Sequence, residues 1–539
     1  MDMTLEENDK HEDEEVRGFV WHGTLKKELY TTVFLFFIIL SIGAFISSQQ
    51  NNSVSTTYTF ISFSLAKGVE GYTTFAWSII SGASFQRGIF PHGRSPNKPQ
   101  KQIEYPLNCT AWNMSKPCPN NYPTKFKTKK STAKCPDYFR WIHVDLKPWK
   151  KTGITRDMVE RGKNAASIRI VIVKGKLYTE KYKGVYQTRD VFTIWGILQL
   201  MRMYPGKLPD LDMMFECNDV PVISASNYQG TNATSPPALF HYCGDDKTLD
   251  IVFPDWSFWG WPEINIKPWD PLREDLKEGN NMSKWMDREP YAYWKGNTRM
   301  GNRKQLMWCN PNDKEDWNAR IFHHNWHDEE RKGFRNSNLA RQCNYRYKIY
   351  AEGIAWSVSS KYILACDSVA LFIKPRFYDF FTRGLVPLKH YWPINENDKC
   401  RSIKFAVNWG NNHSKKAQEI GKMGSKFIEE SLTMNFVYDY MFHLLYRYAK
   451  LLKYKPRVPP NAVEVCSESV ACTSQGLEQH FKMETAVKRP ALSSPCVMPK
   501  PFKPKELKAF LKKKEAIIKQ VETLEEIGNV EKEFQLGKN

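Results

Sequence analysis

From Leu29 to Ile46 the chain carries an uncharged, largely apolar run, LYTTVFLFFIILSIGAFI. As a helix at 1.5 Å per residue it reaches about 27 Å, close to the hydrocarbon thickness of a thin bilayer. One span fits such a run, and whatever flanks it must lie on opposite sides of a membrane. Arg17, Lys26 and Lys27 precede it, and no Lys or Arg follows before Lys67. Basic flanks favour the cytosol, so residues 1–28 read as a cytosolic tail, 29–47 as a transmembrane signal anchor, and the rest as lumenal. A cleaved signal peptide fits less well, because the apolar stretch is long, starts late and lacks a small-residue cleavage site.

The composition is consistent with a folded lumenal body. Of 539 residues, 41% are hydrophobic and 25% charged, which excludes wholesale disorder and fibrous repeats. At about 100–200 residues per domain, the length suits two to four domains. Twelve cysteines without a CxxC pair point to disulfides rather than to a zinc ribbon or a thioredoxin-like site. Sequons at Asn51, Asn108, Asn113, Asn232, Asn281 and Asn412 suit passage through the secretory pathway. Together these features predict a single-pass type II protein of the Golgi or endoplasmic reticulum membrane, and the lack of a KDEL-type signal leans towards the Golgi.

Residues 48–135, rich in Ser, Thr, Asn, Pro and Lys, read as a lumenal stem. From Ser167 the pattern alternates. Ser167–Val173, Leu211–Cys217, Leu239–Cys243 and Asp250–Pro254 read as strands, and Val191–Met203 as a helix behind a possible Asp190 cap. A second set reads as strands at Tyr291–Asn297, Tyr345–Ala351, Ser368–Ile373 and Leu385–His390. Strands alternating with helices imply parallel α/β layers in two units. The boundaries drawn are an acceptor-side lobe over 136–275, a donor-binding lobe over 276–432, a closing helix over 433–455, and an exposed basic tail over 456–539.

Ligands in such sheets sit beyond the carboxyl ends of strands. Asp219 lies there, two residues past the Leu211–Cys217 strand, and its carboxylate can accept a hydroxyl proton; as a turn residue it would instead fix the bend. Glu216 on the strand reads as a side-chain partner. Gly296, Asn297 and Arg303 follow the Tyr291 strand, where a glycine permits close backbone approach and a guanidinium can fork onto phosphate oxygens. Ser357 and Lys361 follow the next strand in the same way. A solvated basic rim would also explain these cations.

Other constellations weigh less. Asp210-Leu-Asp212 has a metal-binding D-x-D form but leads straight into a strand. His323, His324, His327 and Asp328 have metal-ligand spacing, yet a charged surface helix accounts for them. The Trp-rich segment Asp255–Ile264, with Trp269, could stack on a sugar or base or simply anchor packing. No P-loop or nucleophile-elbow signature occurs.

The ordered motifs MMFECNDVP (Met213–Pro221), FPDWSFWGWPE (Phe253–Glu263), PLREDL (Pro271–Leu276), YAYWKGN (Tyr291–Asn297) and CNYRYKIYAEGIAWSVSSKYILAC (Cys343–Cys366) together resemble glycosyltransferase family 90. This family holds the Rumi-type protein O-glucosyltransferases and the capsule-associated xylosyltransferases, and the tail, anchor and stem look like its plant branch. The resemblance covers roughly residues 135–455. It implies an α/β fold of GT-B type, two facing Rossmann-like lobes, with a UDP-sugar in the C-terminal lobe and inverting transfer to a hydroxyl.

In that scheme Asp219 matches the catalytic base, Arg303 the diphosphate-binding arginine, and Ser357 and Lys361 the donor loop, while Cys343 and Cys366 match a family disulfide. Positive groups would replace a metal, so no cofactor is expected beyond the UDP-sugar co-substrate. Ser359 stands where Rumi-type members carry a donor-binding Arg, and Asn297 replaces a Ser. These changes leave the sugar open, with glucose or xylose foremost. The expected partners are the donor, a protein or polysaccharide acceptor and the membrane, not nucleic acid. A glycan-binding scaffold without turnover is the alternative function.

Overall fold

The computed structural model describes residues 126–230, 234–301 and 303–536, with side chains to 528, together with short pieces between 104 and 118. The expected anchor at 29–47 and the sequons at Asn51 and Asn232 lie outside the described residues. Among the described residues no helix is long and apolar enough to cross a membrane.

The first sheet contains β1 (Ile168–Val173), β2 (Lys176–Lys181), β3 (Leu211–Phe215), β4 (Leu239–His241), β5 (Ile251–Val252) and β11 (Val463–Val465), in the order β11-β2-β1-β3-β4-β5. β1 is antiparallel to both its neighbours, and only β3, β4 and β5 run parallel. This corrects the expectation of a fully Rossmann-like first lobe. The cause is local: Lys174 and Gly175 both take left-handed φ values of 52° and 75°, which turns β1 straight back into a hairpin. β2 escapes sequence reading because Leu177 is its one buried residue. β1 and β3, buried almost throughout, make the lobe's centre.

The second sheet is parallel throughout. β6 (Glu289–Gly296), β7 (Ala319–His323), β8 (Tyr345–Tyr350), β9 (Val369–Ile373) and β10 (Trp392–Ile394) lie in the order β10-β9-β8-β6-β7. The chain steps outward from β6 to β7, then returns across β6 to continue through β8. Strand order therefore reverses between β6 and β8, and the crevice beyond their carboxyl ends is where a doubly wound sheet binds ligands. The strand expected at Leu385–His390 is a turn, with Leu388 at φ 56°; pairing starts at Trp392.

After helices Lys399–Asn412 and Ser414–Ser431, helix Met434–Leu451 crosses back to the first lobe, where Tyr448 donates to the Asp212 carbonyl at 2.8 Å. The lobes are pinned on one flank. Gly244 and Tyr378 exchange backbone hydrogen bonds at 2.9 and 3.0 Å, and Arg383 forks onto Asp145 with both contacts at 2.6 Å.

The C-terminal region is not the exposed tail expected over 456–539. β11 extends the first sheet, disulfides join Cys466 to Cys118, Cys472 to Cys109 and Cys496 to Cys135, and helix Pro504–Leu536 inserts Val521 into the second lobe's core. Its inward stripe of Leu507, Phe510, Ile517 and Val521 has helical spacing that needs a partner to bury it. The same disulfides tie the last residues assigned to a stem, Cys109, Cys118 and Cys135, to the folded body.

Candidate active site

A cleft of about 900 Å³ runs between the carboxyl ends of the two sheets. Tyr186, Arg189, Asp219, Trp256 and Trp261 line it from the first lobe; Gly296, Asn297, Arg303, His323 and Ser357 face them from the second. Five of the six residues singled out from the sequence thus share one cavity. Lys361 does not. It is fully buried, its Nζ donating to Ser257 Oγ at 2.6 Å and to the Val358 carbonyl at 3.2 Å, with Asp255 3.8 Å away. Burial pushes its pKa down against the pull of Asp255 and Asp379. The expected donor contact is corrected: the first turn of helix Ser359–Leu364 points this ammonium inward, where it staples the lobes.

Asp219 follows β3 in a turn set by Glu216. That carboxylate accepts from the Asn218 backbone at 2.9 Å and pairs with Lys183 at 2.6 Å, so it fixes the bend while Asp219 faces the cleft, which Glu263, bonded to Thr188, and Glu330 also line. Asp219 keeps 34% of its side chain exposed and meets Arg189 Nη1 at 3.1 Å. Arg189 opens helix Arg189–Met203, whose cap is Thr188 rather than Asp190; Asp190 pairs instead with Lys181 at 2.8 Å.

Across the cleft, Arg303 is clamped onto the loop after β8. Its Nε donates to the Glu352 carbonyl at 3.1 Å and its Nη2 to the Ala351 carbonyl at 3.0 Å. Among the described residues no further hydrogen bond of this guanidinium is formed, and it lines the cleft. Burial lowers its pKa, opposed by Tyr362, Tyr350, Asp219 and Glu352, so the carboxylate of the first lobe acts electrostatically on the guanidinium of the second. Desolvation pushes the pKa of Glu352, half-buried beneath this loop, up to about 7.

The loops after β6 and β8 touch at Gly301, which sits at φ 52° with Gly353 O only 2.3 Å from where a Cβ would be. Both the conformation and the space require glycine there. Asn297 accepts from the Arg299 backbone at 2.9 Å, and Ser357 shares a 2.9 Å hydroxyl contact with Ser359.

Sequence reading missed part of this wall. His323 closes β7 and His324 follows it, so neither belongs to the expected surface helix, which covers only Trp326–Arg331. His323 Nδ1 lies 2.7 Å from Thr298 Oγ1, and burial lowers the His324 pKa to about 4. Their position one strand from β6 was hidden because β7 is short and interrupted by charge. Arg189 was missed because nothing in its local sequence marks it. Of the Trp-rich segment, Trp261 and the fully buried Trp256 line the cleft, whereas Trp259 and Trp269 are buried anchors away from it.

The Asp210-Leu-Asp212 pair is used structurally: Asp212 receives both prongs of Arg169 at 2.7 Å, and Asp210 accepts from the Lys174 backbone at 2.8 Å. Cys343 and Cys366 form a disulfide that brackets β8 and the following helix, and Cys309 pairs with Cys400.

The family described as glycosyl transferase family 90 matches residues 130–525. The O-glucosyltransferase rumi homolog of Aedes aegypti is 27% identical over 344 residues, covering 62% of this chain and 83% of that protein. O-glucosyltransferase rumi of Drosophila melanogaster is 26% identical, with 60% and 78% covered. Protein O-glucosyltransferase 1 of Homo sapiens is 25% identical, with 60% and 82% covered.

Proposed function

Because this chain belongs to glycosyltransferase family 90, we propose that it transfers a sugar, glucose or xylose, from a UDP-sugar to a hydroxyl of a protein or polysaccharide acceptor, with inversion and without a metal. The observation that carries this reading is the opposition of Asp219 and Arg303 across one cleft at the β6/β8 switch point. The relatives' names, all O-glucosyltransferases, support glucose transfer to protein.

In this reading the lobes form a GT-B-type pair and the diphosphate rests against the loops after β6 and β8. Asp219 takes the acceptor's hydroxyl proton while that oxygen bonds the anomeric carbon. The bond from that carbon to the diphosphate oxygen breaks on the far side, and its electron pair leaves with UDP. Arg303 Nη1 and Nη2 stabilise the charge that develops there; a donor of this kind accounts for about 10²–10³-fold in rate. A signal anchor over 29–47 would hold the catalytic body in the Golgi or endoplasmic reticulum lumen.

A panel of UDP-sugars incubated with the purified protein in EDTA tests the reading. UDP release with UDP-glucose or UDP-xylose, reduced about 10²–10³-fold in Arg303→Ala, is the expected result. Release that needs an added divalent ion, or is indifferent to Arg303→Ala, would count against it.

A further inference from the structure

Among the described residues three arginine–carboxylate pairs join a buried guanidinium to an aspartate, and one differs from the others. Arg169 forks onto Asp212 and Arg383 onto Asp145; in each the contacts are double and both partners are buried, with side-chain exposures of 8% and 1%, and of 7% and 5%. Arg189 is equally buried at 6%, yet its aspartate is 34% exposed and the contact is single, Nη1 to Asp219 Oδ1 at 3.1 Å. The cation is hidden and the anion is presented to the cleft.

The surroundings of Arg189 explain how such a lopsided pair is held. Its guanidinium carbon lies 4.4 Å from the Trp256 ring centre, 5.1 Å from that of Tyr186 and 5.8 Å from that of Trp261. Aromatic faces favour a cation without hydrating it, so the guanidinium is kept dry and fixed. Trp256 in turn meets Trp356 edge to face, centroids 6.0 Å apart, and Trp356 directly precedes Ser357 of the second lobe. Burying Arg189 is costly unless the charge is paired, and among the described residues Asp219 is its one ion-pair partner. Its Nε is buried without a hydrogen bond. A side chain kept only for packing would be matched more fully.

We propose that Arg189 is a positioning residue for transfer: it holds Oδ1 of Asp219, leaving Oδ2 to receive the acceptor proton. Other titratable or charged groups near Asp219 include Arg303 from the second lobe, the Cys243 thiol 3.4 Å from the Asp219 carbonyl, buried His241 behind that thiol, Glu216, which is turned to Lys183, and Glu263, which lines the same cleft and accepts from Thr188. Arg189 is the cation in direct contact, so its removal acts first on Asp219.

The test is the steady-state kinetics of UDP release from UDP-glucose or UDP-xylose by the full-length protein. Arg189→Gln is expected to lower kcat at least about tenfold, with donor KM within about threefold. A folded Arg189→Gln protein with wild-type kcat overturns the proposal. Should that variant not fold, Arg189→Lys decides, because an ammonium keeps the charge but not the fixed planar contact. It is expected to lose kcat at unchanged donor KM, and wild-type kcat overturns the proposal. The inference rests on Asp219 as proton acceptor. An active Asp219→Asn protein removes that reading, whereas an inactive one beside an Arg189→Gln protein of wild-type kcat removes only the role of Arg189.

Discussion

The two lobes present residues to one cleft from differently built sheets. In the second lobe all five strands are parallel, so every strand end on the cleft side is a carboxyl end, and two neighbouring loops supply the Arg303 clamp. In the first lobe β1 runs antiparallel to both β2 and β3, and one turn, after β3, presents Asp219 and its support. The first lobe is also tied at both ends of the chain: three disulfides connect Cys109, Cys118 and Cys135 to the segment containing β11. The difference teaches that the loops where strand order reverses supply much of the cleft lining, while three disulfides and the Arg169–Asp212 fork reinforce the mixed sheet that presents Asp219.

Substitutions in the two lobes should therefore separate stability from turnover. The largest expected loss is in Arg169→Leu, which strands buried Asp212 without its fork; about 3–5 kcal/mol of unfolding free energy should disappear in urea titrations. Removing the Cys135–Cys496 link by double serine substitution should cost about 2–4 kcal/mol, since it closes a long loop, with UDP affinity little changed at 25 °C. Equal loss of UDP binding in either variant would break the division between the lobes.

Gly301→Ala should do the reverse. The added methyl meets Gly353 O and displaces the loops that clamp Arg303, so donor KM should rise about tenfold with a smaller change in melting temperature. The smallest effect concerns the helix that ends the chain. Glu525 accepts from Ser402 Oγ at 2.7 Å, and burial raises its pKa from 4.5 to about 7. A carboxyl raised on folding contributes stability fully below its unfolded pKa and loses it as pH climbs through about 7. Between pH 5 and 8 the protein should lose about 1 kcal/mol from this group after allowance for partial exposure, and Glu525→Gln should flatten that loss in thermal melts.

Much of the second lobe was legible. Its strands β6, β8 and β9 are apolar runs bounded by turns, and Gly296, Asn297, Arg303 and Ser357 sit directly past them, so position relative to a strand end was enough to find the cleft wall. Asp219 was picked out by the same position, but that position fits a turn residue as well, and only the family resemblance singled it out as a base. Lys361 was misplaced because sequence distance from a strand cannot tell which way the first turn of a helix points. β7 and β11 were missed because edge strands bury few residues and carry polar sequence, and β2, second from the edge, because only Leu177 of it is buried; with β11 the closure of the first lobe by the C-terminal segment went unseen. Arg189 and the histidines reach the site only through tertiary packing, for which local pattern holds no signal.

The claim on which the account turns is that Asp219 supplies the base while the opposite lobe holds the leaving group. Turnover of Asp219→Asn at matched UDP affinity tests it directly. The account expects UDP binding within about threefold of wild type and a kcat at least about 10²-fold lower; a variant that binds UDP and turns over at the wild-type rate would contradict it.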